Sequence, residues 1–95
     1  ISVVIPTWNG ARHLPVCLSA LRAQTLPPLE VILVDNASTD GTRELVGADF
    51  PEVRHMALPR NLLFAGACNI GFRAASGDLI ALLNNDTEAD SRWLE

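Results

Sequence analysis

The sequence contains no lysine, and its seven basic residues are all arginines scattered along the chain. Eleven acidic residues outnumber them and give a formal net charge of -4. Proteins that bind nucleic acid need a dense basic stripe to neutralise phosphates, and no such stripe is present. Nucleic acid is therefore not an expected partner. A small anionic ligand would have to be bound by single side chains, backbone N–H groups or a metal ion.

Cysteine is also scarce. Cys17 and Cys68 lie far apart in the sequence, without a CxxC spacing or a nearby pair of histidines. This pattern argues against a zinc site and against a disulfide framework. We expect two reduced, buried thiols in a cytosolic protein.

Long hydrophobic runs are missing as well. No apolar run approaches the roughly 20 residues that a membrane span needs, and no signal segment opens the chain. The expected location is the cytoplasm, either free or, for a parent protein, at the inner face of the membrane. Ninety-five residues suffice for one small core, so a single domain over residues 1–95 is predicted. The chain starts with a strand-like segment and ends with five helix-like residues. This pattern favours the interpretation that the chain is the front part of a longer protein.

Short apolar segments alternate with helical patterns along the whole chain. Strands are predicted over residues 1–5, 29–34, 53–58 and 79–83. The continuous apolar runs are typical of strands that are covered on both faces, whereas the mixed polarity of the third suggests an edge. Alternation with short connections indicates right-handed crossovers over a parallel sheet. The predicted fold class is α/β, with three layers (α/β/α) and a mainly parallel sheet.

The helical segments carry further expectations. Pro15 is tolerated only if it lies in the first turn of the first helix. Gly47, near the end of the second helix, is predicted to be a left-handed residue. The third helix has apolar and small residues between positions 64 and 75 on one stripe, which we assign to the core and to no ligand. Alternative N-cap residues precede the second helix: Asn36, Ser38 and Asp40.

Polar side chains follow three of the predicted strands. They are Thr7 and Asn9, next to Pro6, after the first strand, Asp35 and Asn36 after the second, and Asn84, Asn85 and Asp86 after the fourth. Because the carboxyl ends of parallel strands meet at one edge of a sheet, these loops are expected to converge on one cleft. Turn and cap chemistry alone would also favour these residue types, and that alternative stays open.

Two common phosphate-binding motifs are absent. There is no GxGxxG after the first strand and no GxxxxGK[ST] anywhere, which argues against a dinucleotide dehydrogenase and a P-loop NTPase. Without lysine, a nucleotide diphosphate would need another source of positive charge. Mg²⁺ or Mn²⁺ would supply it through oxygen ligands, and Asp86 is the candidate ligand.

Four ordered blocks carry a resemblance to a known family: VVIPTWNG, EVILVDNASTDGT, NLLFAGACNIG and GDLIALLNNDT. Together they resemble the N-terminal, nucleotide-binding half of family 2 glycosyltransferases, particularly the rhamnosyltransferase-like branch. The resemblance covers essentially the whole chain. It implies a GT-A fold with strand order about 3-2-1-4, a UDP-, GDP- or dTDP-linked sugar donor, a divalent metal and inversion at the anomeric carbon. For the whole protein it implies a saccharide or lipid-linked acceptor and a bacterial polysaccharide pathway.

The resemblance also implies roles for the residues at the strand ends. Asn85 would contact the donor sugar and Asp86 would bind the metal. Asn84 stands in place of the usual Asp, and Leu63 in place of a usual Gly. The general base is expected downstream of Glu95, so this chain should bind the donor and transfer nothing. The nucleotide-binding set is Pro6, Thr7, Asn9, Asp35, Asn36 and Asn84.

Other residues near the predicted cleft have open roles. Trp8 would either stack on a base or sugar or cover the edge of the core. Asn61 and Asn69 would either bind the ligand or tie down their loop. His13 and His55 have no spaced partners, so structural or solvated roles are expected.

Two other functions fit the same fold. A sugar-nucleotide nucleotidyltransferase shares the layout but needs a Gly-rich, basic loop after the first strand, which residues 7–12 do not supply. A non-catalytic nucleotide-binding or structural α/β module needs no acceptor half. Whichever function applies, an incomplete last helix would leave apolar surface exposed to solvent, so we expect the chain to self-associate.

Overall fold

The computed structural model describes all 95 residues. Four parallel strands form one sheet in the order β3-β2-β1-β4, which confirms the predicted α/β fold and strand order. The strands are β1 (Ser2–Thr7), β2 (Glu30–Asp35), β3 (Arg54–Ala57) and β4 (Ile80–Leu82). The helices are α1 (Leu14–Arg22), α2 (Thr42–Asp49) and α3 (Leu63–Ala74). None of these helices has the length and hydropathy needed to cross a membrane.

Side chains of the two central strands alternate between two cores. Val3 and Ile5 of β1 pack with α1 and α2 on one face of the sheet. Val4 of β1 and Val34 of β2 pack with Ala67 of α3 on the other face. Strands covered on both faces must be apolar at successive positions. This is why both central strands have continuous apolar runs.

The first strand is longer than predicted. β1 continues through Pro6 and Thr7, which pair with Val34 and Asp35 of β2. Proline is tolerated because the Val4 carbonyl faces β4, and by alternation the backbone of Pro6 faces the same side. The pairing of β4 with β1 ends at Val4, so the missing N–H of Pro6 leaves no ladder bond unmade. Thr7 is therefore positioned by a strand and not by a loop.

The helix ends differ in part from expectation. Pro15 lies in the first turn of α1, as predicted. The prediction for Gly47 was wrong: it lies inside α2, and the left-handed glycine is Gly41, with φ 86°, immediately before that helix. Among the alternative cap residues, Asp40 is the one that contacts the helix start. Its Oδ1 accepts hydrogen bonds from the Thr42 N–H at 3.2 Å and the Thr42 hydroxyl at 2.5 Å.

Helix α3 approaches the sheet closely through its small residues. A Cβ on Gly71 would lie 2.3 Å from Cγ1 of Val4, so only glycine permits this packing distance. The assignment of this stripe to the core is confirmed for the small residues in its middle, which are buried, but it is wrong for the two phenylalanines. Phe64 is 55% exposed and Phe72 is 38% exposed.

Strand β4 is less buried than its apolar sequence predicts. It lies at the edge of the sheet, and Leu79, Ile80 and Leu82 are all exposed. Only Leu83, just beyond the strand, is buried. The last residues form hydrogen-bonded turns instead of a helix start, and Leu94 enters the core beside α1.

Candidate functional site

A cavity of about 420 Å³ lies at the carboxyl ends of β1, β2 and β4. Its lining comes from the ends of these strands and from the start of α3: Pro6, Thr7, Trp8, Asn36, Asn61, Leu63, Phe64, Asn84, Asn85 and Asp86. Six of the eight residues predicted from the sequence are in this lining. Asn9 and Asp35 are not. The expected convergence of three loops on one cleft is present.

The loop after β4 is fastened to the end of β1. Asn85 Nδ2 donates a hydrogen bond to Thr7 Oγ1 at 2.6 Å. Gly10 lies directly against this contact, since a Cβ there would be 2.3 Å from Asn85 Nδ2 and 2.4 Å from Thr7 Oγ1. This role of Gly10 was not apparent from the sequence. Its only signal was a glycine in a turn, which does not reveal a close approach.

The start of α3 is fastened to the end of β2. The Asn36 side chain accepts a hydrogen bond from the Leu62 N–H at 3.0 Å and donates one to the Leu63 carbonyl at 3.2 Å. Asn61 Oδ1 accepts a hydrogen bond from the Leu63 N–H at 2.7 Å. Two amide side chains thus hold the backbone at Leu62 and Leu63. The ligand contact of Asn36 stays a prediction.

Asp35 is buried and does not line the cavity. Its Oδ1 accepts a hydrogen bond from the Ser38 N–H at 2.9 Å, and its Oδ2 lies 2.9 Å from His55 Nε2. The side chains of Asp35 and His55 are both largely buried. His55 therefore has a partner that its sequence spacing did not indicate. Pairing in the sheet places Asp35 directly beside Thr7, which lines the cavity. Nucleoside contact by Asp35 stays a prediction.

Asn9 joins the loops that follow β1 and β2. Its N–H donates to Ser38 Oγ at 2.8 Å, and its Oδ1 accepts from the Thr39 N–H at 2.8 Å. Its φ of 50° is left-handed, a conformation that asparagine tolerates better than most residues. These contacts fasten the two loops to each other, and nucleotide contact by Asn9 stays a prediction.

Asp86 is the only carboxylate in the cavity lining, and no basic side chain lines the cavity. The chain has no cluster of three or more His, Cys, Asp or Glu side chains that could hold a metal on their own. One carboxylate and neighbouring amide oxygens still suit Mg²⁺ or Mn²⁺ when the ligand's phosphates complete the coordination. The donor set therefore fits a metal that arrives with a diphosphate.

The buried thiol of Cys17 contacts the loop after β4, which contains Asp86. Cys17 of α1 donates a weak hydrogen bond to the Asn84 carbonyl, with 3.8 Å between sulfur and oxygen. Burial raises the pKa of Cys17, a hydrogen bond to Thr87 lowers it, and the Asp86 carboxylate raises it further. With its pKa raised, the thiol stays protonated near neutral pH and can donate this bond.

Comparison with known proteins gives a family and several relatives. The family model described as Glycosyl transferase family 2 matches residues 2–95. Glycosyltransferase AglE of Haloferax volcanii is 33% identical over 100 residues, covering 100% of this chain and 33% of AglE. The chain spans about a third of the length of the curated relatives it matches.

Solved structures agree with the fold. A structure of S. aureus TarS in complex with UDP has a TM-score of 0.85 and 26% identity, covering 98% of this chain and 29% of that one. Mannosyltransferase PcManGT from Pyrobaculum calidifontis, in complex with GDP-Man and Mn²⁺, has a TM-score of 0.77 and 30% identity. This match covers 90% of the present chain and 27% of PcManGT. The rhamnosyltransferase-like branch stays a prediction.

Proposed function

This chain belongs to glycosyl transferase family 2, and we propose that it forms the donor-binding part of an inverting glycosyltransferase. The observation that carries this proposal is the cavity at the carboxyl ends of β1, β2 and β4, where six predicted site residues meet. The similar structures hold UDP or GDP-Man, which supports a nucleotide-diphosphate sugar as the ligand. UDP-, GDP- and dTDP-linked sugars are all candidates.

The donor lies across the cavity in the proposed complex. The nucleoside is bound at the ends of β1 and β2, near Pro6, Thr7 and Asn36, with Asp35 beside Thr7. Asn84 contacts the ribose, and Asn85 contacts the donor sugar. The hydrogen bond between Asn85 and Thr7 holds the loop after β4 against the end of β1, so these two sides of the cavity keep a fixed relative position.

Asp86 binds Mg²⁺ or Mn²⁺ together with the diphosphate. The absence of any basic lining residue supports this assignment, because a diphosphate needs a positive charge beside it. A divalent cation would stabilise the negative charge on the departing diphosphate.

Residues 1–95 form the donor-binding unit of a longer enzyme in this proposal. Relatives are about three times as long as the match, which supports an acceptor-binding half outside this chain. That half would supply the general base and bind a saccharide or lipid-linked acceptor. The nucleotidyltransferase alternative finds no support, since the matching family and relatives are glycosyltransferases.

Calorimetric titration of the full chain with UDP, GDP and dTDP, each with Mn²⁺, tests the proposal. We expect one nucleotide to bind more tightly than the others. Replacement Asp86→Ala should weaken that binding about tenfold or more and abolish its dependence on Mn²⁺, because one charged metal ligand contributes at least this much.

Asp78→Ala is the matched control, because Asp78 is an exposed carboxylate outside the cavity. It should leave nucleotide affinity unchanged. Absence of binding by all three nucleotides would refute the proposed function and favour a structural module. Equal binding by the unaltered chain and Asp86→Ala would refute the metal assignment alone.

A further inference from the structure

Leu63 has two features that are unfavourable in a folded protein. Its φ of 64° is left-handed, a conformation that costs free energy in any residue with a Cβ. Its side chain is 74% exposed and belongs to neither hydrophobic core. Packing within the chain therefore does not compensate for the strain or for the exposure.

The surrounding amides enforce this conformation. Asn61 accepts a hydrogen bond from the Leu63 N–H, and Asn36 donates one to the Leu63 carbonyl. Both peptide groups of Leu63 are thus held, and Asn36 itself is buried. Strain that the surroundings over-determine is typical of residues with a function.

The exposed side chain lines the cavity. Leu63 and Phe64 at the start of α3 and Trp8 after β1 are the large apolar side chains exposed there. The other lining residues, apart from Pro6, are polar or charged. The cavity is therefore apolar on the side of α3 and anionic at Asp86.

We infer that Leu63 is a ligand-contacting residue whose side chain covers the nucleobase of the donor. The inference rests on the proposed function. Asn36 joins Leu63 to the end of β2, where the nucleoside is placed, whereas the diphosphate is placed at Asp86 after β4. A flat, weakly polar base suits an apolar wall, and binding would remove the leucine side chain from water.

Two replacements at this position separate the side chain from the backbone. Leu63→Gly should raise Tm by about 3 °C, because glycine adopts the left-handed conformation without strain. The same replacement should weaken binding of the preferred nucleotide with Mn²⁺ about tenfold, because the apolar contact is lost. Leu63→Ala should weaken binding to a similar degree without the rise in Tm.

Ala37→Gly is the matched control. Ala37 also has a left-handed φ, 59°, but it lies outside the cavity lining. The replacement should raise Tm as Leu63→Gly does and leave nucleotide affinity unchanged. If Ala37→Gly and Leu63→Gly weaken binding equally while Leu63→Ala does not weaken it, the loss comes from glycine in the backbone, and a contact by the leucine side chain is refuted.

The double variant Leu63→Gly with Asp86→Ala tests the position of Leu63 along the ligand. If Leu63 contacts the base and Asp86 the metal diphosphate, the two factors of affinity loss should multiply. A clear departure from multiplication would place Leu63 at the diphosphate and overturn the inference. If the unaltered chain binds a nucleotide and Leu63→Gly binds it equally well, the inference fails while the proposed function stands. If the unaltered chain binds none, the proposed function fails and the inference fails with it.

Discussion

Single residues decide how closely the loops of this site can approach. Gly10 shows this best: the hydrogen bond between Thr7 and Asn85 occupies the space where its side chain would be. Leu63 is the opposite case, because it carries a side chain although its left-handed backbone conformation favours glycine. Neither the close approach at Gly10 nor the left-handed backbone at Leu63 follows from the hydrophobicity or the secondary-structure propensity of the residue. Both depend on what lies next to it in space.

Gly10→Ala should separate Thr7 from Asn85. The new methyl group would lie within 2.4 Å of both side chains, so one must move and the hydrogen bond between them is lost. We expect a destabilisation of about 1–3 kcal/mol, typical of overpacking, and weaker nucleotide binding. Urea unfolding and calorimetric titration measure the two effects.

Gly47→Ala is the control for Gly10→Ala. A Cβ on Gly47 meets no atom within 4 Å, and the residue lies inside helix α2. The replacement should stabilise the protein by about 0.5–1 kcal/mol through helix propensity. Nucleotide affinity should be unchanged. A Gly10→Ala protein that binds nucleotide as well as Gly47→Ala does would show that the Thr7 to Asn85 contact is not needed.

At the scale of elements, the end of the sheet opposite the cavity is fastened by one carboxylate. Glu30 Oε2, at the start of β2, accepts hydrogen bonds from the Ser2 hydroxyl of β1 at 2.6 Å and from the Ser76 N–H at 2.7 Å. Ser76 also donates its hydroxyl, at 2.8 Å. This carboxylate thus joins β1, β2 and the loop before β4.

These bonds produce a dependence of stability on pH. The hydrogen bond from Ser2, followed by those from Ser76, lowers the pKa of Glu30 from its ordinary 4.5 to about 2. Because the pKa is lower in the folded state, Glu30 contributes stability above about pH 4.5, and this contribution is lost as the pH falls towards 2.

Thermal unfolding between these pH values, for the unaltered chain and for Glu30→Gln, measures this contribution. The unaltered chain should lose more stability on acidification than Glu30→Gln does. Glu44→Gln, which removes an exposed carboxylate from α2, should behave as the unaltered chain. Parallel curves for all three proteins would exclude Glu30 as the source of the acid sensitivity.

The whole molecule has one exposed apolar edge. Strand β4 closes the sheet on one side, and Leu79, Ile80 and Leu82 along it are 66%, 42% and 41% exposed. Unpaired backbone groups beside apolar side chains favour pairing with another strand. The chain as it stands is therefore expected to self-associate.

Size-exclusion chromatography over a range of concentrations tests this expectation. The unaltered chain should elute earlier as its concentration rises. Leu79→Lys combined with Leu82→Lys should elute as a monomer, because charge on an edge strand opposes pairing. Leu29→Lys, at an exposed leucine away from this edge, should not abolish association. A compact monomer at every concentration would contradict the prediction.

Sequence pattern alone determined the fold class and the position of the candidate cleft. Apolar runs and turn residues are local, and parallel strands must place their carboxyl ends at one edge. The order of strands and the family followed from the four motif blocks, and the fold and the comparisons confirm them. Polar residues at strand ends could therefore be assigned to one cleft without coordinates.

Tertiary structure alone decided which side chains touch and which are exposed. Thr7 and Asn85 are 78 positions apart in the sequence, and Asp35 and His55 are 20 apart. Their contacts depend on strand register and on distances of a few ångströms, which residue types do not encode locally. The same holds for the exposed face of β4 and for the left-handed Leu63. Burial and strain are properties of what surrounds a residue, and only the folded chain brings those surroundings together.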